Sequence, residues 1–313
     1  MSNKIVSIII VAAGTKDYLK SCLDSIRGQD YPDKEIIVID NSLSRNFGQE
    51  FRQSYPEIKL YPSQENLSYC QALNKGIEAC KGDFILCLND DVVLSRDYIE
   101  KTLKAFDIDE KIGMASGKIL RSDGKTIDSA GLSLNIWRTA TEKGYGATDI
   151  GQFEKPGFIF GVTGAVALYR RQMLEEIKID GEYFDRDFRF FYEDLDIAWR
   201  AENRGWKGYY IPGTVAYHVR GGTARKDKGI NKKYARRYLN QELLFDLTKN
   251  RYLVIIKNET LLNFLLHLPF ILLYDTFSWG YILFFKPGLI KRFAEKQIPV
   301  ASAFRKRRLL KNG

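Results

Sequence analysis

Hydrophobic and polar positions follow two alternating patterns over the first hundred residues. Short apolar runs are separated by segments in which apolar residues recur every three or four positions. These predict, in order, Val6 to Val11 (strand), Asp17 to Ser25 (helix), Glu35 to Ile39 (strand), Phe47 to Tyr55 (helix), Ile58 to Tyr61 (strand), Tyr69 to Ala79 (helix) and Phe84 to Leu88 (strand). Because the strands are apolar throughout, we expect a parallel sheet covered on both faces. The pattern therefore predicts a doubly wound α/β fold.

In the rest of the chain, the composition and the hydrophobic pattern change twice. Residues 158–169 are apolar and Gly-rich, residues 183–203 are acidic and aromatic, and residues 209–218 resemble a strand. Beyond residue 226 the pattern is that of basic helices, with an almost continuously apolar run at 261–285 and then a basic tail. A length of 313 residues is typical of a chain with about two domains. We therefore predict a domain at 1–225 and a basic helical region at 226–313.

Polar residues stand where the predicted strands end. These ends are Ala12-Ala13-Gly14, Asp40-Asn41-Ser42, Glu65-Asn66 and Asn89-Asp90-Asp91. In open α/β sheets, ligands bind outside the carboxyl ends of the strands, so we expect the site there. Neither GxGxxG nor GxxxxGK[ST] follows the first strand, which argues against dinucleotide-dependent redox chemistry and P-loop hydrolysis.

Composition and charge narrow the class of protein. The chain is 45% hydrophobic and 28% charged, as folded globular proteins are. Its 48 Lys and Arg against 39 Asp and Glu give a net charge of +9, which indicates a polyanionic partner such as nucleic acid, a sugar nucleotide or an anionic membrane. The four cysteines form no CxxC pair, so we expect neither a zinc ribbon nor a disulfide scaffold, but buried thiols in a reducing cytosol.

Three groups of residues could carry chemistry. Asn89-Asp90-Asp91 offers hard oxygen ligands suited to Mg²⁺ or Mn²⁺ on a diphosphate, although the same residues favour an Asx turn or a helix cap. Residues 191–200 predict a helix that opens on Glu193 and Asp194, where a carboxylate can act as a base or as a plain cap. His218 is one of two histidines and is followed by a basic Gly-Gly stretch suited to folding over phosphates.

Together these signals resemble family 2 glycosyltransferases, and more narrowly their bacterial rhamnosyltransferase-like branch. The resemblance lies in the ordered set S-I-I-I-V near the start, V-I-D-N-S at 38–42, E-N-L-S-Y-C-Q-A-L-N-K-G at 65–76, G-D-F-I-L-C-L-N-D-D at 82–91, G-V-T-G-A at 161–165, F-F-Y-E-D-L-D-I-A-W-R at 190–200 and His218. It implies a GT-A fold, a doubly wound mixed sheet with a nucleotide-sugar half at about 1–95, an acceptor half at about 96–225 and a C-terminal helical extension.

The resemblance also implies roles for individual residues. Asp194 matches the catalytic base of an inverting transfer, and Asp91 and His218 match the ligands of Mg²⁺ or Mn²⁺. The implied donor-binding residues are Asp40, Asn89, Asp90 and Arg220, and the implied acceptor or supporting residues are Gly164, Glu193, Asp196 and Arg200. At the end of the first strand, Ala12-Ala13-Gly14 replaces the polar pair usual in the family, so we expect backbone contacts alone there.

The apolar run at 261–285 leaves three arrangements open. It is long enough to span a membrane, but Asn263, His267 and Asp275 interrupt it, and Pro269 is expected to kink a helix. A pair of amphipathic helices at an anionic membrane surface fits this pattern better. A buried hairpin against the catalytic domain or against a second subunit is the third arrangement.

The implied function is hexosyl transfer in cell-surface polysaccharide synthesis. A dTDP- or UDP-sugar would donate rhamnose or a similar sugar to a hydroxyl of a growing glycan or lipid-linked acceptor, in the cytoplasm or on the inner face of the cell membrane. The chain could form a homo-oligomer. The rival functions are a sugar-phosphate nucleotidyltransferase and a non-catalytic GT-A-like binding subunit. Nucleic acid is not an expected partner, because the basic residues near the C-terminus lack the interleaved aromatics of RNA-binding folds.

Overall fold

The computed structural model describes residues 4–13, 15–43, 47–219 and 239–312, without the side chains of 48–50 and 312. Its first half alternates strands and helices as the hydrophobic pattern predicts. The elements are β1 (Val6–Ala12), α1 (Lys16–Arg27), β2 (Lys34–Asp40), α2 (Phe47–Ser54), β3 (Ile58–Pro62), α3 (Tyr69–Ala79) and β4 (Phe84–Asn89). Each predicted element is present, and its ends lie close to the predicted ones.

The second half supplies shorter strands and further helices. The strands are β5 (Val92–Leu94), β6 (Ile112–Arg121), β7 (Ile127–Ser129), β8 (Leu132–Leu134), β9 (Ala140–Glu142), β10 (Gly157–Ile159), β11 (Val166–Arg170) and β12 (Lys207–His218). The helices are α4 (Tyr98–Leu103), α5 (Arg171–Glu176) and α6 (Glu193–Glu202).

A mixed sheet organises these strands in the order β10-β12-β6-β11-β4-β1-β2-β3. β1 to β4 are parallel to one another, whereas β11 runs antiparallel between β4 and β6. The register sets Ala12 beside Asp40 and Val11 beside Asn89, so the polar ends of β1, β2 and β4 meet at one edge. The expected doubly wound mixed sheet is therefore confirmed.

Both faces of the sheet are buried. In β1, Ile8 and Ile10 pack in one apolar cluster and Ile9 and Val11 in the other, because successive side chains point to opposite faces. Gly76 brings α3 close to this strand: a Cβ on it would lie 2.4 Å from Cγ2 of Ile9. All four cysteines are free and buried, as expected.

The helices described after the sheet are α7 (Gln241–Asn258), α8 (Leu261–Phe285), α9 (Pro287–Glu295) and α10 (Val300–Asn312). α7 packs against α6, α9 and α10. Its buried residues include several polar and charged ones: Asp246, Lys249, Asn250, Arg251, Lys257 and Asn258. These buried polar groups contact residues 185–196, so α7 is part of the same structure as the sheet.

α8 corrects the expectation of two helices broken at Pro269. One helix runs through the proline, which removes a single N–H donor near the middle of an otherwise regular run. Nor is α8 buried as a hairpin against the rest of this chain, since its buried residues are Ile271 and Ile282 alone. Among the described residues it is the one helix long and apolar enough to cross a membrane, judged by length and composition.

Candidate active site

A cavity of about 510 Å³ opens at the carboxyl edge of the sheet. The ends of β1, β2 and β4, the segment 163–165, the start of α6, His218 and the start of α7 surround it. The predicted residues that line it are Asn89, Asp90, Asp91, Gly164, Glu193, Asp194 and His218. Residues far apart in the chain thus share one open space, at the place where the strand ends predict it.

Side-chain hydrogen bonds fix Asn89, the last residue of β4, and Asp90, which follows it. Asn89 Oδ1 accepts a hydrogen bond from Tyr69 Oη at 2.8 Å. Asp90 Oδ2 accepts one from the Ala13 N–H at 2.9 Å, which ties the motif to the end of β1. Burial raises the pKa of Asp90 to about 7. The Ala13 N–H is therefore used inside the protein, and the Asp90 carboxyl is poorly solvated.

His218 links two buried carboxylates. Its Nε2 lies 3.3 Å from Asp91 Oδ1, and its Nδ1 lies 2.8 Å from Asp128 Oδ2. Burial by itself disfavours the imidazolium, but Asp91 and Asp128 outweigh it and raise the pKa of His218 to about 9. The two carboxylates thus favour a positive charge between them.

This donor set fits a divalent cation that takes its remaining ligands from a diphosphate. Asp91 offers a carboxylate and His218 offers Nε2, while Asp128 holds the other ring nitrogen, as carboxylates behind metal-bound histidines commonly do. In the described ranges, no group of three or more His, Cys, Asp or Glu side chains could hold a metal on its own. The remaining ligands of the cation would be oxygen atoms of a bound substrate and of water.

The start of α6 presents two adjacent carboxyl groups to the same cavity. Asp194 Oδ2 accepts a hydrogen bond from the Gly164 N–H at 3.1 Å, and its Oδ1 accepts one from the Leu195 N–H at 2.7 Å. Two backbone N–H groups therefore hold and orient the Asp194 side chain beside the cavity.

Glu193 has the opposite environment. Burial, followed by the neighbouring Asp194 charge, raises the pKa of Glu193 to about 8. Its Oε2 is a buried oxygen without a hydrogen-bond partner in the described part of the chain. Gly164 lies directly against this pair, since a Cβ there would stand 3.2 Å from Glu193 Oε1. The Glu193 carboxyl group is thus less well solvated and less hydrogen-bonded than that of Asp194 beside it.

The backbone before this pair is strained. Phe191 and Tyr192 both have φ of 70°, a left-handed conformation that non-glycine residues rarely adopt. Asn250 of α7 holds the turn, because its Nδ2 donates hydrogen bonds of 2.8 Å to the carbonyls of both Phe190 and Phe191. Such strain persists only where surrounding contacts enforce it. The position of Asp194 therefore depends on a helix that follows much later in the chain.

Asp196 and Arg200 lie behind the cavity instead of lining it. Arg200 Nε lies 2.9 Å from Asp196 Oδ2, and both side chains are buried. Arg200 also donates to the carbonyls of Ile177 and Tyr183, while Asp196 is contacted by Lys257 and Asn258 of α7. The predicted i,i+4 pair is present, and its surroundings fit a supporting position.

Asp40, a predicted donor-binding residue, stands behind the cavity lining instead of in it. Asp40 is buried, and its Oδ1 accepts hydrogen bonds from Ser42 N at 3.1 Å and Ser42 Oγ at 2.6 Å. The carboxylate thus shapes the turn that places Asn41 and Ser42 in the lining. Arg220, with the Gly-Gly stretch after it, lies outside the described residues.

Sequence reasoning missed Asp128 and Asn250. Asp128 is a single carboxylate in a short strand, and no motif marks it. α7 did carry a signal: Lys249-Asn250 recurs about two turns later as Lys257-Asn258 in an apolar helix, which places the two pairs on one face. A polar stripe inside an apolar helix could have indicated a buried network.

Curated proteins resemble parts of the chain. The "Putative glycosyltransferase EpsH" of Bacillus subtilis (strain 168) is 30% identical over 133 residues, covering 41% of this chain and 38% of the relative. The "Poly-beta-1,6-N-acetyl-D-glucosamine synthase" of Staphylococcus aureus (strain MSSA476) is 24% identical over 217 residues, covering 66% of this chain and 48% of the relative. In both cases the match spans less than half of the relative's length.

Solved structures share the fold. The mannosyltransferase PcManGT from Pyrobaculum calidifontis, in complex with GDP-Man and Mn²⁺, superposes with a TM-score of 0.56 at 15% identity, covering 99% of this chain and 86% of the other. GalNAc-T7 with UDP, GalNAc and Mn²⁺ gives 0.55 at 15% identity, covering 69% of this chain and 43% of the other. The chain has the GT-A fold that the sequence motifs imply.

The family assignment rests on the sequence itself. The family model described as "Glycosyl transferase family 2" matches residues 7–178, more than half of the chain. The match contains most of β1, all of β2 to β4 and the Asn89-Asp90-Asp91 motif, and it ends before α6. The chain belongs to glycosyl transferase family 2.

Proposed function

We propose that this glycosyltransferase is an inverting, metal-dependent hexosyltransferase. It moves rhamnose or a similar sugar from a dTDP- or UDP-sugar to a hydroxyl of a growing glycan or lipid-linked acceptor. The observation that carries the proposal is the position of Asp194. This carboxylate opens α6 on the same cavity that Asp91 and His218 line, so a base and a diphosphate site share one space.

Asp194 acts as the general base in this proposal. Its carboxylate takes the proton of the acceptor hydroxyl as that oxygen attacks the anomeric carbon. The new carbon–oxygen bond forms on the face opposite the nucleotide, and the bond from the anomeric carbon to the diphosphate oxygen breaks. The nucleoside diphosphate leaves with that electron pair, so the configuration inverts. The Gly164 and Leu195 N–H groups hold and orient Asp194 for this step.

Asp91 and His218 are the proposed holders of Mg²⁺ or Mn²⁺. When bound there, the cation supplies positive charge to the departing diphosphate. Asp128 orients His218 through Nδ1, leaving Nε2 directed toward Asp91. Asn89, Asp90, Asp40 and Arg220 are the proposed donor contacts, although Asp90 and Asp40 use their described hydrogen bonds within the protein.

The biological setting is proposed from the relatives. One of them is named as a poly-β-1,6-N-acetyl-D-glucosamine synthase. We place the protein in cell-surface polysaccharide synthesis, in the cytoplasm with peripheral contact to the inner face of the membrane. The donor sugar follows from the rhamnosyltransferase-like motifs, not from these relatives.

The test combines donor binding with product analysis. dTDP- and UDP-sugars are screened by thermal shift with Mn²⁺, with Mg²⁺ and with neither, and released nucleotide is then measured with and without glycan acceptors. We expect metal-dependent stabilisation and release of nucleoside diphosphate. Release of pyrophosphate instead would identify a nucleotidyltransferase, and donor binding without any turnover would identify a non-catalytic subunit.

Asp194→Asn separates catalysis from binding. We expect turnover to fall by about 10²–10⁴-fold, the usual contribution of a general base, while metal-dependent donor binding changes less than about twofold. Glu202→Gln is the matched control, because Glu202 is an exposed carboxylate at the far end of the same helix. An Asp194→Asn variant that turned over at the wild-type rate would contradict the assignment of the base.

A further inference from the structure

α8 has one apolar face that the described part of the chain leaves uncovered. Leu266, Phe277 and Phe284 are 62%, 72% and 78% exposed. We define the outer face of α8 by its most exposed large apolar residues: Leu261, Leu262, Leu265, Leu266, Leu272, Phe277, Leu283, Phe284 and Phe285. Monomeric soluble proteins rarely expose so large a contiguous apolar patch unless a partner or a membrane covers it.

The opposite face of α8 is bound to the protein along its length. His267 Nδ1 lies 3.0 Å from Nη2 of Arg138, and Asp275 forms an ion pair with Arg251 of α7. Ile271 and Ile282, the buried residues of α8, fall on the same face. The polar residues His267 and Asp275 thus point inward, and each has a buried basic partner.

These contacts fix how α8 can meet a bilayer. A helix of 25 residues is about 37 Å long, enough to cross a hydrocarbon core of about 30 Å. If it crossed, the buried Arg138 and Arg251 and the helix α7 that hold its inner face would have to enter the hydrocarbon with it. Lying along the surface instead keeps those groups in the protein and buries the outer face alone.

The basic residues of the C-terminal region indicate what kind of surface covers the outer face of α8. Residues 261–313 contain nine Lys and Arg against two acidic residues, a net charge of +7 compared with +9 for the whole chain. Lys291 on α9, Lys296 directly after it, and Arg305 and Arg308 on α10 are exposed. Basic groups beside an apolar helix face attract anionic lipid headgroups. We propose that α8 lies in the plane of an anionic bilayer, with its outer face in the acyl boundary, and does not cross it.

This docking also bears on the acceptor, a step that rests on the proposed function. α7 lies between α8 and the active site: Leu243 of α7 lines the main cavity, and a smaller cavity between α7 and α8 is lined by Tyr192, the residue before Glu193. The bilayer-facing helix is thus one helix layer from Asp194. An acceptor carried on a lipid would reach Asp194 along this side of the protein.

Vesicle flotation of the full-length protein tests the docking. We expect wild type to float with phosphatidylglycerol-containing vesicles and to bind neutral phosphatidylcholine vesicles at least about tenfold more weakly. Leu266→Ser/Phe277→Ser should reduce binding to anionic vesicles at least about tenfold and leave transfer to a soluble acceptor unchanged. Ile108→Ser/Ile150→Ser is the matched control, because both residues are exposed but lie outside α8.

The outcomes separate the proposal from its rivals. Asp194→Asn should float like wild type, so a failure of the proposed catalysis leaves the docking testable. Equal flotation of the α8 double variant and wild type would overturn the proposal. Absence of flotation together with a dimer that the double variant dissociates would overturn it too, because a second copy would then cover the outer face.

Labelling distinguishes lying from crossing. Asn263→Cys and Lys286→Cys mark the two ends of α8 without belonging to its outer face, and the four native thiols are buried. On vesicle-bound protein, a membrane-impermeant maleimide added outside should label both positions. Protection of one end until detergent is added would show a crossing helix and overturn the in-plane arrangement.

Discussion

α7 and α8 are neighbours in the chain with opposite relations between polarity and burial. α7 buries Lys249, Asn250 and Lys257, whereas α8 exposes leucine and phenylalanine along most of its length. Buried groups of α7 have partners in the catalytic half, including the carboxylates of Asp185 and Asp196. From hydrophobicity alone, the more apolar α8 would be expected in the core and α7 at the surface.

The difference shows that the C-terminal region has two distinct parts. α7 and α10 brace the catalytic half through ion pairs, with Lys306 of α10 contacting Asp185 and lying 2.7 Å from Asp187. α8 lies outside that brace and offers an apolar surface. Substitutions in α7 should therefore change stability and catalysis, whereas substitutions on the outer face of α8 should change neither.

The largest effect is expected at Lys257. Lys257→Met removes a buried ammonium from two buried carboxylates, and breaking a buried ion pair costs about 3–5 kcal/mol. Urea unfolding measures the loss. Lys291→Met, at an exposed ion pair on α9, is the control and should change the free energy of unfolding by less than about 0.5 kcal/mol. Similar losses for both variants would remove the distinction between the two parts.

Asn250→Ala is expected to lower both the stability of the protein and its kcat. It removes both hydrogen bonds to the Phe190 and Phe191 carbonyls. Because these carbonyls are left unpaired, the free energy of unfolding should fall by about 1–3 kcal/mol. The loosened turn should lower kcat about 10–100-fold through misplacement of Asp194, with the donor KM nearly unchanged. Steady-state kinetics of this variant and of Thr248→Ala, a neighbour on α7, provide the comparison. A proportional rise in donor KM would show that Asn250 does not act through the base.

Glu193 should make stability depend on pH. Its pKa is about 8 in the folded protein and about 4.5 when unfolded, so the folded state binds the proton more tightly. The contribution of this group to stability is therefore present at low pH and declines as pH rises from about 4.5 to 8. Tm measured between these two pH values should fall less in Glu193→Gln, by about 2 °C for a difference of about 1 kcal/mol. Parallel profiles for the two proteins would mean that Glu193 is ionised in the fold.

The smallest effect is expected on the outer face of α8. Leu265 is 56% exposed, so Leu265→Ala should change the free energy of unfolding by less than about 0.5 kcal/mol. Leu253→Ala in α7 removes the same side chain from a site that is 2% exposed, and it should cost about 2–5 kcal/mol. A large cost at Leu265 in detergent-free solution would indicate that another copy of the chain covers it.

The sheet could be predicted because parallel strands buried on both faces are continuously apolar. The same topology gathers the strand ends, so Asn89, Asp90 and Asp91 followed from the pattern. Asp194 and His218 needed the family resemblance, since a carboxylate opening a helix and a lone histidine have ordinary structural explanations. The partners of Asn250 could not be predicted, because they lie far away in the chain, in a turn whose strain appears only in three dimensions.

α8 shows a second limit of sequence reasoning. The sequence places His267, Asp275 and Pro269 inside an apolar run, and polar interruptions argued against one continuous helix. The structure resolves this because both polar residues face basic partners in the protein body. Hydropathy along the chain cannot distinguish a polar residue that interrupts a helix from one that attaches it.

The contacts of α10 have a consequence for synthesis on the ribosome. Lys306, which contacts the buried Asp185, is translated 121 residues after it, and Asn250 also follows the turn that it holds. The nascent chain therefore carries a complete sheet while its acidic cluster still lacks the cations that neutralise it. The turn before Asp194 therefore gains its supporting contacts from α7 only after β12, the last of the described strands, has been synthesised.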